Sequence, residues 1–198
     1  MLNQIDTILF PDTCEVLEVA PQRFVYPIHK NGSTSLHNSG FRSLSLDEIQ
    51  QLDVIEVLVR NPTERYISGV SKFIEDTELD DYTVLHFVEN YLFLNNHYAP
   101  QLYWLLNLQR FTNAKMLLSP MSQLATITKL HDNTSDKNNL VSTNDKVEFY
   151  LQLDQVLIGE LLGRTVTFKQ VVQTVKHRYP EVYKEVIQRS IDLCNVLV

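Results

Sequence analysis

The 198-residue sequence predicts an α/β fold: a central, mostly parallel sheet flanked by helices, with a helix-rich C-terminal part. Short apolar runs at 23–28, 54–60 and 114–118 have the length and β-branched content of buried strands. The first two run directly into turn and helix-cap residues, and between and after the strands apolar residues recur at helical spacing. Strands that alternate with helices are the pattern of parallel βαβ units.

In chain order, Phe24-Val25-Tyr26-Pro27-Ile28 ends strand one and meets the polar loop His29-Lys30-Asn31-Gly32-Ser33-Thr34-Ser35. Strand two, Val54 to Arg60, meets Asn61-Pro62-Thr63-Glu64: Asn61 suits a helix cap, Pro62 the first turn, and Glu64 the returning acid of a capping box. In the helix that follows, Arg65, Ser68 and Lys72 share one face and Tyr66, Ile67, Val70, Phe73 and Ile74 populate the other. Tyr82 through Leu108 reads as an apolar helical region broken near Pro100, which cannot continue a helix ladder. The turn Thr112-Asn113 precedes strand three. Ser142 to Asp145 resembles a capping box for a helix running to Gly163, and Thr167 caps another before Pro180. Helix-like apolar spacing continues from Pro180 to Val198.

The loop at 29–35 has the chemistry of an anion cradle. Lys30 supplies a cation, Gly32 permits close backbone approach, and Ser33, Thr34 and Ser35 add hydroxyl and amide donors without bulk. Arg60, at the carboxyl end of the next strand, can grip a phosphate with two parallel bonds. An ordinary turn with a helix cap, and a solvated basic face for Arg65 and Lys72, are the plainer readings of the same residues.

Together the two segments resemble the nucleotide-binding signature of sulfotransferases that use 3'-phosphoadenosine 5'-phosphosulfate (PAPS), and are most similar to the carbohydrate branch. Lys30, Gly32, Ser33, Thr34, Ser35 and Leu36 match its Lys-x-Gly-(Ser/Thr)-(Ser/Thr)-(Ser/Ala)-Leu loop. Arg60, Pro62, Arg65 and Ser68 match its Arg-x-Pro-x-x-Arg-x-x-Ser element. Asn96-His97-Tyr98-Ala99-Pro100-Gln101, His131-Asp132-Asn133-Thr134-Ser135 and the Tyr150…Asp154 pattern are weaker echoes; Ser119-Pro120 and Gln123 stand where the family carries acids.

A 198-residue chain that is 44% hydrophobic and has no Gly/Ser-rich or Pro-rich linker reads as a single domain, 1–198; the resemblance, over about Phe24 to Leu157, implies a P-loop-type three-layer fold and direct in-line transfer of a sulfuryl group from PAPS to a hydroxyl or amine. Lys30 and residues Asn31 to Ser35 would hold the 5' group, with Lys30 stabilising the leaving phosphate oxygen. Arg60 and Ser68 would select the 3'-phosphate, with Arg65 in support. Asn133 and Ser135 would contact the cofactor from a loop. His97 leads as the base that takes the acceptor's proton, with His29 and His37 as alternatives.

Composition bounds the partners. With 24 acidic against 17 basic residues the net charge is −7, which disfavours nucleic acid or a heavily sulfated glycan and leaves a small molecule or another glycan as acceptor. No window approaches the roughly 18 apolar residues of a membrane span, and the expectation is a cytoplasmic protein without a membrane partner. Cys14 and Cys194 form no Cys-x-x-Cys pair, and scattered histidines argue against a metal. A nucleotide kinase would share the fold, but its Gly-x-x-x-x-Gly-Lys-(Ser/Thr) loop places lysine after the second glycine, and here Lys30 precedes the loop's only glycine. A nucleotide-binding module without catalysis is the other alternative.

Overall fold

The computed structural model describes residues 14–77, 99–129 and 145–184. In chain order the elements are β1 (Leu17–Ala20), β2 (Arg23–Tyr26), α1 (Ser33–Asn38), β3 (Arg42–Ser43), α2 (Leu46–Gln50), β4 (Val54–Val59) and α3 (Pro62–Thr77). They continue with α4 (Gln101–Gln109), β5 (Lys115–Pro120), a 3-10 turn (Met121–Thr126), α5 (Asp145–Gly159), β6 (Thr165–Val166), α6 (Phe168–Arg178) and α7 (Pro180–Val182). The strands form one six-stranded sheet in the order β3-β1-β2-β4-β5-β6.

β4 reads as a nearly unbroken apolar run because it is covered on both faces. Its neighbours β2 and β5 are both parallel to it. Its one charged residue, Glu56, is buried beside Val25 of β2 and accepts Arg23 Nε at 2.8 Å, so the carboxylate is paired where it leaves water. Alternate strand residues feed two apolar clusters. Tyr26, Ile55, Val57, Val59, Met116 and Leu118 join residues of α3, α4, α5 and α6 in the larger one. Leu17, Val25 and Leu58 meet Leu36 of α1 and Leu124 of the 3-10 turn in the smaller one.

The sheet departs from the expected mostly parallel arrangement. Only its centre, β2-β4-β5, is parallel, whereas β1 pairs antiparallel with both β2 and β3, and β6 pairs antiparallel with β5. β1 and β2 make a tight hairpin through Pro21 and Gln22, the latter at φ 61°, as a turn with proline second and a left-handed third residue requires. The first predicted strand therefore stops at Tyr26, and Pro27 and Ile28 already belong to the loop.

Three helix starts read from sequence are present, with one altered detail. Asn61 Oδ1 accepts Glu64 N at 3.2 Å and so caps α3, but the Glu64 carboxylate lies 3.5 Å from Arg60 Nε instead of returning to the cap. α4 starts immediately after Pro100. Thr167 and Gln170 form a full capping box on α6. α5 ends at Gly159, four residues before the expected Gly163, and residues 142–144 of its proposed cap lie outside the described residues. No described helix is long and apolar enough to cross a membrane.

Thr167→Ala removes one side of the α6 capping box, and a loss of about 1 kcal/mol is expected in urea denaturation. An unchanged midpoint would mean that packing alone holds the start of α6.

Candidate functional site

The connection leaving β2 runs to β3 on one side of the sheet, while the connection leaving β4 runs to β5 on the other. Loops that part in opposite directions open a crevice at the strands' carboxyl ends, the usual ligand position in such sheets. Lys30 follows β2 and Arg60 follows β4, so the two sequence motifs meet there. Arg60 Nη1 donates to the Lys30 carbonyl oxygen at 3.3 Å.

The loop after β2 is tightly wound. Asn31 N donates to Ile28 O at 3.0 Å, Lys30 takes the left-handed φ of 66° and Gly32 a φ of 80°. The first is strained for a lysine, the second needs glycine. A methyl group at Gly32 would sit 2.1 Å from Leu124 Cδ2, so the 3-10 turn closes against the loop's back. Ser33, Thr34 and Ser35 then open α1, whose first backbone bond runs from Leu36 N to Gly32 O at 3.1 Å. Their side chains divide: Thr34 is exposed, whereas Ser33 and Ser35 are buried.

Beneath the loop lies a buried polar network. Gln101, at the first turn of α4, accepts Arg60 N at 2.9 Å and Asn31 Nδ2 at 2.6 Å on Oε1, and returns Nε2 to Arg60 O at 2.9 Å. Asn31 Nδ2 also donates to Leu58 O at 2.7 Å. Asp154 of α5 accepts the Gln101 and Leu102 amides at 2.7 and 3.0 Å, filling the acceptor role that the start of α4 leaves open. Arg65 donates from Nε to His29 O at 3.0 Å and from Nη1 to Ala99 O. Burial pushes the Arg65 guanidinium down and the Asp154 carboxyl up, and the attraction between the two opposes both shifts.

This geometry turns two candidate residues inward, Asn31 away from its expected contact with the 5' group and Arg65 into the supporting place expected of it. Asn31 is 1% exposed, with its backbone and side-chain N–H groups spent inside the protein, so it shapes the loop and does not reach a ligand. Arg65 is 2% exposed and grips the backbone behind the crevice, because the first turn of α3 aims it inward. Ser68 lies on the same helix face, half-buried, between Arg65 and Lys72. Lys72 bonds Asp76 at 2.8 Å and Glu75 at 3.4 Å. Burial, then repulsion from Lys72, lowers the Lys30 pKa, and Arg60 adds to this against Glu75 and Asp76. Lys30, Arg60 and Lys72 thus form a cationic cluster at the crevice. His97, Asn133 and Ser135 lie outside the described residues.

A cavity of about 480 Å³ borders Arg60, between Val59 and Arg60 at the end of β4, Pro120 and Met121 at the end of β5, and Ile158 and Leu162. Among the described residues no cluster of His, Cys, Asp or Glu could hold a metal ion.

Compared with known protein families, curated proteins and solved structures, the chain has no match in any of the three.

Gln101 and Asp154 were part of the sequence pattern only as ends of weakly similar segments, and Trp104, the chain's single tryptophan, carried no signal at all. A polar residue directly after a helix-starting proline, and an acid amid the apolar stretch 151–158, were the readable hints.

Asp154→Asn leaves the buried Arg65 without its counter-charge and offers one amide oxygen to two backbone donors. A loss of about 3–5 kcal/mol is expected in chemical denaturation. A loss under about 1 kcal/mol, the size of an exposed pair, would show that the network is not closed as described.

Proposed function

We propose that the protein is a PAPS-dependent sulfotransferase built on a P-loop-type arrangement, transferring a sulfuryl group to a hydroxyl or amine of a small or neutral carbohydrate acceptor. The observation that carries this reading is the convergence of the Lys30–Ser35 loop and Arg60 at adjacent parallel strand ends, joined by the Arg60 to Lys30 contact. Two anion-binding groups on neighbouring loops suit a ligand with two separated phosphates better than a single phosphate chain. The residues also fit the donor's chemistry: Gly32 gives the loop its left-handed turn and close seating on Leu124, which sets the amides that follow at the crevice, and the cations match the donor's charge.

On this reading, Lys30 stabilises negative charge on the departing phosphate oxygen, the part of a loose transfer that needs most help from the protein. The amides of the first turn of α1 and the exposed Thr34 hydroxyl hold the 5' group. Arg60 and Ser68 hold the 3'-phosphate. The mostly apolar cavity beside Arg60 gives room for the nucleoside end. Arg65, Asn31, Gln101 and Asp154 keep both loops in register.

Calorimetry comparing PAP, the 3',5'-bisphosphate product, with ATP and AMP tests the assignment. PAP is expected to bind at least tenfold more tightly than either, and tighter ATP binding would replace this reading with a kinase-like one. Lys30→Ala is expected to abolish transfer and leave weakened PAP binding; unchanged turnover would refute its role.

The depressed Lys30 pKa gives PAP binding a pH dependence. A lysine whose pKa is lowered loses its proton earlier as pH rises, so PAP affinity should begin to fall at a pH below the ordinary lysine value of 10.5. Lys30→Arg keeps its charge throughout and should flatten that fall. Parallel titration curves for the two proteins would place the titrating group elsewhere.

A further inference from the structure

α2 and α6 open with full capping boxes, in which the side chains of Glu48 and Gln170 return to the backbone N–H of Ser45 and Thr167. Glu64 stands at the matching position of α3, and its own N–H donates to Asn61 Oδ1 at 3.2 Å, yet its carboxylate lies 3.5 Å from Arg60 Nε. The cap therefore fixes the Glu64 backbone and leaves the carboxylate to the crevice, where Glu64 and Arg60 both line the cavity at the end of β4.

The two partners are held very differently. The Arg60 side chain is 16% exposed and its Nη1 donates to the Lys30 carbonyl oxygen at 3.3 Å, whereas the Glu64 side chain is 62% exposed. Swinging the carboxylate into water costs little, because an exposed ion pair at long distance is weak. Moving the guanidinium instead breaks its contact with the opposite loop. An anion that approaches Arg60 along its Nε edge thus meets a carboxylate already in place, and the carboxylate is the group that gives way. A phosphate monoester carries roughly −1.5 to −2 charge near neutral pH and can take two parallel bonds from a guanidinium. A ribose hydroxyl offers neither charge nor a second acceptor, so a ligand with a free 3'-hydroxyl leaves the Arg60–Glu64 pair intact.

We propose that Glu64 is the displaceable counter-ion of Arg60. It keeps the guanidinium aimed into the crevice when the site is empty, yields to a 3'-phosphate, and by returning loosens the grip on the departing bisphosphate. The inference rests on the sulfuryl-transfer reading and deepens it, since it makes Glu64 the residue that sets how strongly Arg60 favours a 3'-phosphate over a 3'-hydroxyl.

The test is calorimetry on the full chain and on Glu64→Gln, which keeps the side chain's length and removes its charge. The ligands are PAP and ADP, two adenosine bisphosphates of comparable charge of which only PAP carries a 3'-phosphate. PAP is expected to bind Glu64→Gln about three- to tenfold more tightly than wild type, and ADP to stay within about twofold. Stopped-flow measurement of PAP dissociation should show a slowing that matches the gain in affinity. Unchanged or weaker PAP binding in Glu64→Gln would overturn the counter-ion role and leave the donor assignment standing. Equal gains for PAP and ADP would do the same, because they would reduce Glu64 to a general contribution to the field. A wild-type protein that binds ATP more tightly than PAP would overturn the donor assignment and this inference with it.

Discussion

The crevice depends on one side-chain amide. The loops after β2 and β4 leave adjacent parallel strands, and past the last strand pair no ladder holds them at a fixed separation. Gln101 supplies what the ladder no longer does, binding Arg60 through both its N–H and its carbonyl and binding Asn31 of the other loop through the same oxygen. Because Gln101 is fully buried, each of these bonds replaces a cost that water cannot relieve. Asp154 then fixes Gln101 to α5, and the chain's distant segments converge on one point.

That point stores unfavourable terms the rest of the molecule must offset. Lys30 adopts a left-handed backbone, and Asn31 Oδ1 is buried without a hydrogen-bond partner among the described residues, costs on the order of 1–3 kcal/mol each. The Arg65–Asp154 pair adds desolvation that a well-packed apolar pair would avoid. Such features concentrate where a loop must hold one conformation, and here they sit under the residues proposed to meet the ligand. The charge distribution follows the same logic. A chain of net charge −7 gathers Lys30, Arg60 and Lys72 at one crevice while Glu64, Glu75 and Asp76 temper them. A small, multiply charged anion gains from the local cluster, and a long polyanion meets the acidic remainder.

The sheet's centre was legible because burial on both faces leaves an unambiguous apolar run at β4 and a shorter one at β5. The helix caps were legible for the same kind of reason, since Asn61 and Thr167 act within three residues of their own position. β3 and β6, of two residues each, are too short for any periodicity, and they exist only because β1 and β5 offer them an edge. Local pattern likewise identified Lys30, Gly32 and Arg60 as one group, but could not separate residues that face the crevice from those that face the core. Asn31 and Arg65 carry the same polar groups as their neighbours, and only long-range partners at Leu58, Ala99 and Gln101 turn them inward.

Arg60 occupies a double position that follows from lysine preceding glycine in the loop. The left-handed backbone at Lys30 accompanies a carbonyl set within reach of the Arg60 guanidinium, so the arginine proposed to select one phosphate also braces the loop proposed to hold the other. Its backbone is tied to Gln101 at both N–H and C=O, independently of the guanidinium, so the peptide at Arg60 stays placed whatever the side chain does. Rearrangement on ligand binding can then be confined to the outer guanidinium and its long contact with Glu64, while the strand ends remain fixed. A site built this way would couple the two proposed anion pockets through one side chain without requiring the sheet to move.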